Sequence, residues 1–191
     1  MMLKLTISAT CAALAVALGA CGDDEDVGNP DSRLSAEQAT APLEDAPPPL
    51  AALREQGNQL LEGGTDAFAE RLEELRGNPI VVNKWASWCG PCRAEFPFFQ
   101  TQASERGAEV AFLGVDSNDS EDAAATFLRE LPLPYPSYLD PDQDIADEFM
   151  DGSREFPATA FYDTEGELAF VHLGVYSSED QLAADIDRHA Q

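Results

Sequence analysis

The chain is predicted to fold as an α/β domain, a central mixed sheet flanked by helices, on three observations. The apolar run Ile80-Val81-Val82 passes through Asn83-Lys84-Trp85 into Trp88-Cys89-Gly90-Pro91-Cys92, a strand feeding a helix. A second apolar run, Val110 to Val115, lies parallel to the first if the connecting helix makes the usual crossover. Ala158 to Tyr162 and Leu168 to Leu173 alternate in polarity and are joined by Asp163-Thr164-Glu165-Gly166, the chemistry of an antiparallel hairpin. Parallel and antiparallel pairings together make the sheet mixed.

Residues 1–20 read as a secretory leader: Lys4 gives the positive start, Leu5 to Leu18 the apolar stretch, and small residues precede Cys21. The stretch is too short for a spanning helix. Residues 21–50 are acidic and Pro-rich, with Asp23-Asp24-Glu25-Asp26 and Pro47-Pro48-Pro49, and are expected to form a disordered tether. Residues 51–191 suit one domain with its own core.

Within that domain, Leu53, Leu60, Leu61, Phe68, Leu72 and Leu75 have helical spacing interrupted by Gly63-Gly64, which predicts two short helices, or a helix and a turn. Pro79 to Trp85 is the first buried strand and Cys89 to about Ser104 the helix after it, with Pro97 expected to kink it. Ser120 to Leu131 reads as a capped helix and Asp142 to Met150 as another. Pro132, Pro134 and Pro136 are expected in a stiff loop. Ser178 and Gln181 form a capping box for a last helix ending near His189.

Acidic residues number 36 against 11 basic, a formal charge of −25. Loss of Lys4 with the leader would take this to −26. Such a chain is a poor partner for nucleic acid and a better one for basic proteins.

The two thiols carry the chemistry. A helix beginning near Cys89 leaves unpaired N–H groups and partial positive charge beside that sulfur. This setting lowers a thiol pKa from about 8.5 to roughly 3.5–7.5, making Cys89 a nucleophile and a good leaving group. Pro91 suits a first helical turn, and Cys92 lies one turn deeper, within reach of the first sulfur. A structural zinc site wants four ligands. The other cysteines, Cys11 and Cys21, lie in or at the end of the leader, and His172 and His189 are the histidines, so no metal and no cofactor are expected. Cys92 must lose a proton to attack a mixed disulfide. Glu95, on the adjoining helical turn beside Phe96, Phe98 and Phe99, is the candidate base, since partial burial raises a carboxyl pKa.

The segment Val81-Val82-Asn83-Lys84-Trp85-Ala86-Ser87-Trp88-Cys89-Gly90-Pro91-Cys92-Arg93-Ala94-Glu95-Phe96-Pro97 resembles the active-site segment of the thioredoxin superfamily, most closely the TlpA/ResA-like extracytoplasmic thiol-disulfide oxidoreductases. The resemblance implies a thioredoxin-like fold, with an insertion between Asp116 and Phe156 separating its βαβ and ββα halves. It implies a redox-active disulfide between Cys89 and Cys92, a functional Glu95, and Trp88, Gly90, Pro91, Phe156 and Pro157 as the substrate-binding residues. Sequence alone makes the Phe156–Pro157 bond trans; the resemblance makes it cis. Asn83 stands where cytoplasmic thioredoxins carry a buried Asp, which moves the proton-handling role to Glu95. Lys84 departs from the aromatic or apolar residue usual there, and its ammonium must reach solvent or an acid. Leu18-Gly19-Ala20-Cys21 resembles the lipobox of bacterial lipoproteins, with Cys21 lipidated, although an ordinary cleaved signal would give a similar pattern.

The function implied is reduction of protein disulfides outside the cytoplasm by a membrane-anchored dithiol protein. Cytochrome c maturation is the suggested setting, with apocytochrome c as substrate and a membrane electron donor of the DsbD type. Gly90-Pro91 is the dipeptide of reducing thioredoxins, but a disulfide-forming oxidase can carry it, and only a reduction potential separates the two. Copper binding by Cys89, Cys92 and His172 is a different class. Copper chaperones on this fold typically have three residues between the cysteines, against two here, and the chain has no second motif. No peroxidatic cysteine stands outside the pair.

Overall fold

A computed structural model describes residues 34–191; the leader, Cys21 and the acidic run at residues 23–26 lie outside them. The described chain begins with α1 (Ala36–Ala39), α2 (Pro48–Glu55), β1 (Leu60–Leu61) and α3 (Gly64–Glu74). Then come β2 (Ile80–Trp85), α4 (Gly90–Arg106), β3 (Ala111–Ser117), α5 (Glu121–Glu130), β4 (Ser137–Asp140) and α6 (Asp144–Phe149). The chain closes with β5 (Ala158–Tyr162), β6 (Leu168–Leu173) and α7 (Glu179–His189). The sheet order is β1-β4-β3-β2-β5-β6. Strands β1, β4, β3 and β2 run parallel, and β5 pairs antiparallel with both β2 and β6. This is the mixed sheet of the thioredoxin-like fold, with helices on both faces.

Because side chains alternate along a strand, β2 divides its residues between two cores. Val81 and Trp85 pack with Phe96 and Phe99 of α4, Phe127 of α5 and Leu182 and Ile186 of α7. Ile80 and Val82 pack with Leu50 and Leu53 of α2, Phe68 and Leu72 of α3 and Ile145 of α6. The Trp85 ring stacks on Phe127 at 5.3 Å, and its Nε1 donates to Ser137 Oγ at 3.2 Å. Gly114 makes that bond possible: a Cβ there would lie 2.1 Å from Ser137 Oγ and 3.0 Å from Trp85 Nε1.

Two expectations need correction, and one strand was not foreseen. Residues 34–50 are not a free tether. Ser35 and Gln38 form a reciprocal capping box, Ala39 and Leu50 are buried, and Arg54 Nε and Nη2 donate to Ala41 O (2.9 Å) and Gln38 O (3.0 Å). Single anchors hold this segment, so no apolar period announced it. The proline-rich loop delivers a strand, β4, hydrogen-bonded between β3 and β1. The Pro136 carbonyl accepts from Gly114 N at 2.9 Å, so its missing N–H costs the ladder nothing. Leu60 and Leu61, read in a helical pattern, form β1 because β4 supplies a partner from far along the chain. At smaller scale, Ser120 is the N-cap of α5 but makes no side-chain cap bond. Ser178 does cap α7, accepting from Gln181 N at 3.4 Å. Helix α4 runs through Pro97 from Gly90 to Arg106.

Candidate redox-active site

Strand β2 ends at Trp85, and the next four residues turn the chain into α4. The turn closes with Cys89 N donating to Ala86 O at 3.1 Å. Cys89 is the N-cap of α4: its backbone is extended and its Sγ accepts from Cys92 N at 3.1 Å. The first sulfur therefore takes the place a capping oxygen would hold, facing the free N–H groups of the helix start. Cys89 and Cys92 are joined as a disulfide, with Cα atoms 5.3 Å apart. Cys89 is 4 % exposed and Cys92 fully buried, so a partner meets the first sulfur before the second. A Cβ at Gly90 would touch nothing within 4 Å, leaving open space over the first turn.

Glu95 lies one turn beyond Cys92 on α4 and is fully buried. Its Oε1 accepts from Asn83 Nδ2 at 3.1 Å and its Oε2 from Tyr176 N at 3.1 Å. Burial pushes the carboxyl up from 4.5 to about 7, against the opposing pull of those two donors. Tyr135, whose hydroxyl is buried without a partner among the described residues, is raised by burial and by the Glu95 charge. Sequence reasoning did not identify Tyr135 or Tyr176 here: neither lies near Glu95 in the chain.

The rim of the disulfide is aromatic. Trp88 is 55 % exposed, its Nε1 donates to Asn118 O at 2.9 Å, and its ring packs on Phe156 at 4.8 Å. The Phe156–Pro157 bond is cis, the isomer the resemblance implies. The Pro157 carbonyl accepts from Gly174 N at 3.0 Å, which ties the end of β6 to this loop. The structure thus brings Trp88, Phe156 and Pro157 together at the end of the sheet from which α4 departs.

Two buried ionisable groups here were missed or misjudged. Among the described residues the Lys84 ammonium reaches neither solvent nor an acid. It donates to Ser153 O at 2.6 Å and Gln143 Oε1 at 3.3 Å and lies 4.1 Å from the Phe156 ring centroid. Burial lowers it from 10.5 to about 8, with Asp140 opposing and Arg154 adding to the fall. Asp116, at the end of β3, is fully buried and raised from 3.8 to about 8, first by burial and then by Asp119 and Asp140. Asp119 in turn accepts from Ser87 N on the active-site turn and from Ser120 N. An acid continuing the apolar run Val110 to Val115 was the available signal for Asp116. His172 stacks on Tyr176 at 4.0 Å, with its Nδ1 3.4 Å from Asp185 Oδ2. Among the described residues no group of three or more His, Cys, Asp or Glu side chains is arranged to hold a metal ion, and no helix is long and apolar enough to cross a membrane.

Comparison with known proteins places this geometry. The AhpC/TSA family profile matches residues 62–171. Over 112 residues the chain is 30% identical to thiol-disulfide oxidoreductase ResA of Oceanobacillus iheyensis, covering 57% of this chain and 56% of that protein. Over 121 residues it is 36% identical to thiol:disulfide interchange protein DsbE of Pseudomonas fluorescens biotype C, covering 58% and 62%. The match therefore spans less than two thirds of either relative. Among solved structures, DsbF of MTB superposes with a TM-score of 0.55 at 31% identity, covering 61% of this chain and 84% of that one. The pneumococcal exposed lipoprotein thioredoxin Etrx1 of Streptococcus pneumoniae superposes with 0.54 at 26% identity, covering 61% and 89%.

Proposed function

The chain belongs to the AhpC/TSA family, and from that premise we propose that it is a thiol-disulfide oxidoreductase that reduces protein disulfides through Cys89 and Cys92. The observation that carries the reading is the disulfide at the N-terminus of α4, with Cys89 as the N-cap and Cys92 buried behind it. The names of the ResA and DsbE relatives support the reaction class.

In the reduced protein, Cys89 Sγ is a thiolate held by the helix N–H groups. It attacks a substrate disulfide, so that a Cys89–substrate bond forms, the substrate S–S bond breaks, and the departing sulfur leaves as a thiolate that takes a proton. Cys92 gives its proton to Glu95, whose pKa of about 7 lies near that of a thiol. The Cys92 thiolate then attacks Cys89 Sγ and expels the second substrate sulfur, which is protonated in turn. The substrate gains two electrons and two protons, and the protein is left as the disulfide seen here. A dithiol donor resets it. Trp88, Gly90, Pro91, Phe156 and Pro157 form the receiving surface, with Phe156 available to pair with an extended substrate strand.

The setting proposed is outside the cytoplasm, on a lipid anchor at Cys21, with cytochrome c maturation as the task. Apocytochrome c would be the substrate and a membrane donor of the DsbD type the source of electrons. The support is the lipobox-like Leu18-Gly19-Ala20-Cys21, the family resemblance, and the similarity to the exposed lipoprotein thioredoxin Etrx1. Equilibration of the Cys89–Cys92 pair in defined thiol-disulfide buffers tests the direction. A potential near or below about −270 mV is expected, the range of reducing thioredoxins. A value near about −120 mV, that of the strong oxidants, overturns it in favour of disulfide formation.

A further inference from the structure

Lys84 is the one lysine of the described residues, and it is fully buried against the loop that carries Ser153 and Phe156. A buried ammonium is costly unless its protons are satisfied, and here the insertion bends its backbone to satisfy them. Gln143, which offers Oε1, is a left-handed residue with φ 65° at the N-cap of α6. Ser153, which offers its carbonyl, follows Asp151 (φ 55°) and Gly152 (φ 66°), two consecutive left-handed residues. Non-glycine residues adopt that conformation at a cost. The third partner is the Phe156 ring, 4.1 Å away, where the negative face of an aromatic ring attracts a cation. Phe156 carries Trp88 on its ring at 4.8 Å and is joined to cis Pro157. The charged groups that act on the ammonium are Asp140, Asp147, Glu155 and Arg154; none of them is its hydrogen-bond partner.

We infer that Lys84 is a positioning residue for substrate recognition: its ammonium, held by Ser153 O and Gln143 Oε1, fixes the Phe156 ring against which Trp88 packs. Lys84 thereby sets the aromatic surface on which a polypeptide lies while its disulfide meets Cys89. The protein substrate it favours presents an apolar segment beside its disulfide, since the surface Lys84 organises is two aromatic rings. Lys84 touches neither sulfur, so small disulfides that need no such surface are indifferent to it. The inference rests on the oxidoreductase reading and deepens it.

The test compares the full chain with Lys84→Met, Phe156→Leu and the double variant. Insulin is the protein disulfide and oxidised glutathione the small one. In Lys84→Met the KM for insulin is expected to rise about tenfold, the scale of one desolvated cation–π contact, with kcat and the glutathione rate unchanged. Phe156→Leu should raise the same KM, and the double variant should be no worse than the worse single, because the two residues act through one contact. Near-UV circular dichroism without substrate should lose the same part of the tryptophan band in all three. An unchanged KM in Lys84→Met, multiplied effects in the double, or equal losses with both substrates would overturn the inference. If the wild type reduces neither insulin nor glutathione, the oxidoreductase reading falls, and the dichroism alone decides whether Lys84 orders Phe156 and Trp88. If Lys84→Met does not fold, Gln143→Ala removes one acceptor at a half-buried position, and its insulin KM is expected to rise two- to threefold; no rise counts against the inference.

Discussion

Asn83 and Lys84 are neighbours on β2, both buried, and they serve opposite faces of one sheet. Asn83 turns towards α4 and gives one hydrogen bond to Glu95; its Oδ1 has no partner among the described residues. Lys84 turns towards the insertion and takes a carbonyl, an amide and an aromatic face. A neutral amide can be buried half-satisfied at modest cost, whereas a buried ammonium must be built around. On the proposed mechanism the first face handles protons next to the sulfurs; on the inference drawn from Lys84 the second arranges the surface a partner meets. In that proposal one strand divides chemistry from recognition by the alternation of its side chains.

The largest expected effect lies on the α4 face. Glu95→Gln should lower the disulfide-exchange rate near pH 7 about a hundredfold and remove the ionisation near 7 from the pH–rate profile, with KM little changed. An unaltered profile would show that Cys92 loses its proton elsewhere. The contrast with Lys84, expected to move KM and leave kcat alone, is the sharpest test of the division between faces.

Next comes stability against pH. Glu95 and Asp116 have folded-state pKa values of about 7 and about 8, above the ordinary carboxylate range, so between about pH 4 and those values the native state holds more protons than the unfolded chain. The contribution of these two groups to stability then falls as pH rises from about 4 to 8. Asp116→Asn should flatten that fall across the whole window, most completely above about pH 7 where Glu95 no longer contributes, while leaving insulin kinetics in place; thermal melts at pH 4, 6 and 8 compare variant and wild type. Parallel curves for variant and wild type would mean that Asp116 is ionised in the fold without penalty.

The smallest effect is that of Asn83→Ala. Its Nδ2 stabilises the charged carboxylate, so its loss should move the Glu95 titration upwards from about 7, seen as a shift of the acid limb of the pH–rate profile. A downward shift would show that the amide supports the protonated form instead.

Much of the site was legible because its signals are local. Two cysteines one turn apart, a proline in the first turn and an acid one turn further on define it within the seven residues from Cys89 to Glu95, and a helix start supplies its own electrostatics. The main strands of the βαβ and ββα halves were legible for the same reason, each carrying its own apolar run or turn. What escaped were features completed by distant partners. Strand β1 depends on β4, the segment around α1 on Arg54, and Asp116 on its burial in the packed chain and on the carboxyl of Asp140.

The sequence by itself therefore determined the cysteine pair, the order of the main elements and the candidate acid, because period, capping and spacing act over a turn or two of chain. Only the tertiary structure decided what those groups feel. Burial raised Glu95 towards a thiol's range, Tyr176 N–H arrived from the far end of the chain to hold it, and Lys84 gained its partners from an insertion whose sequence gave no sign of them. Desolvation and long-range hydrogen bonds are properties of the packed chain, and no stretch of residues carries them alone.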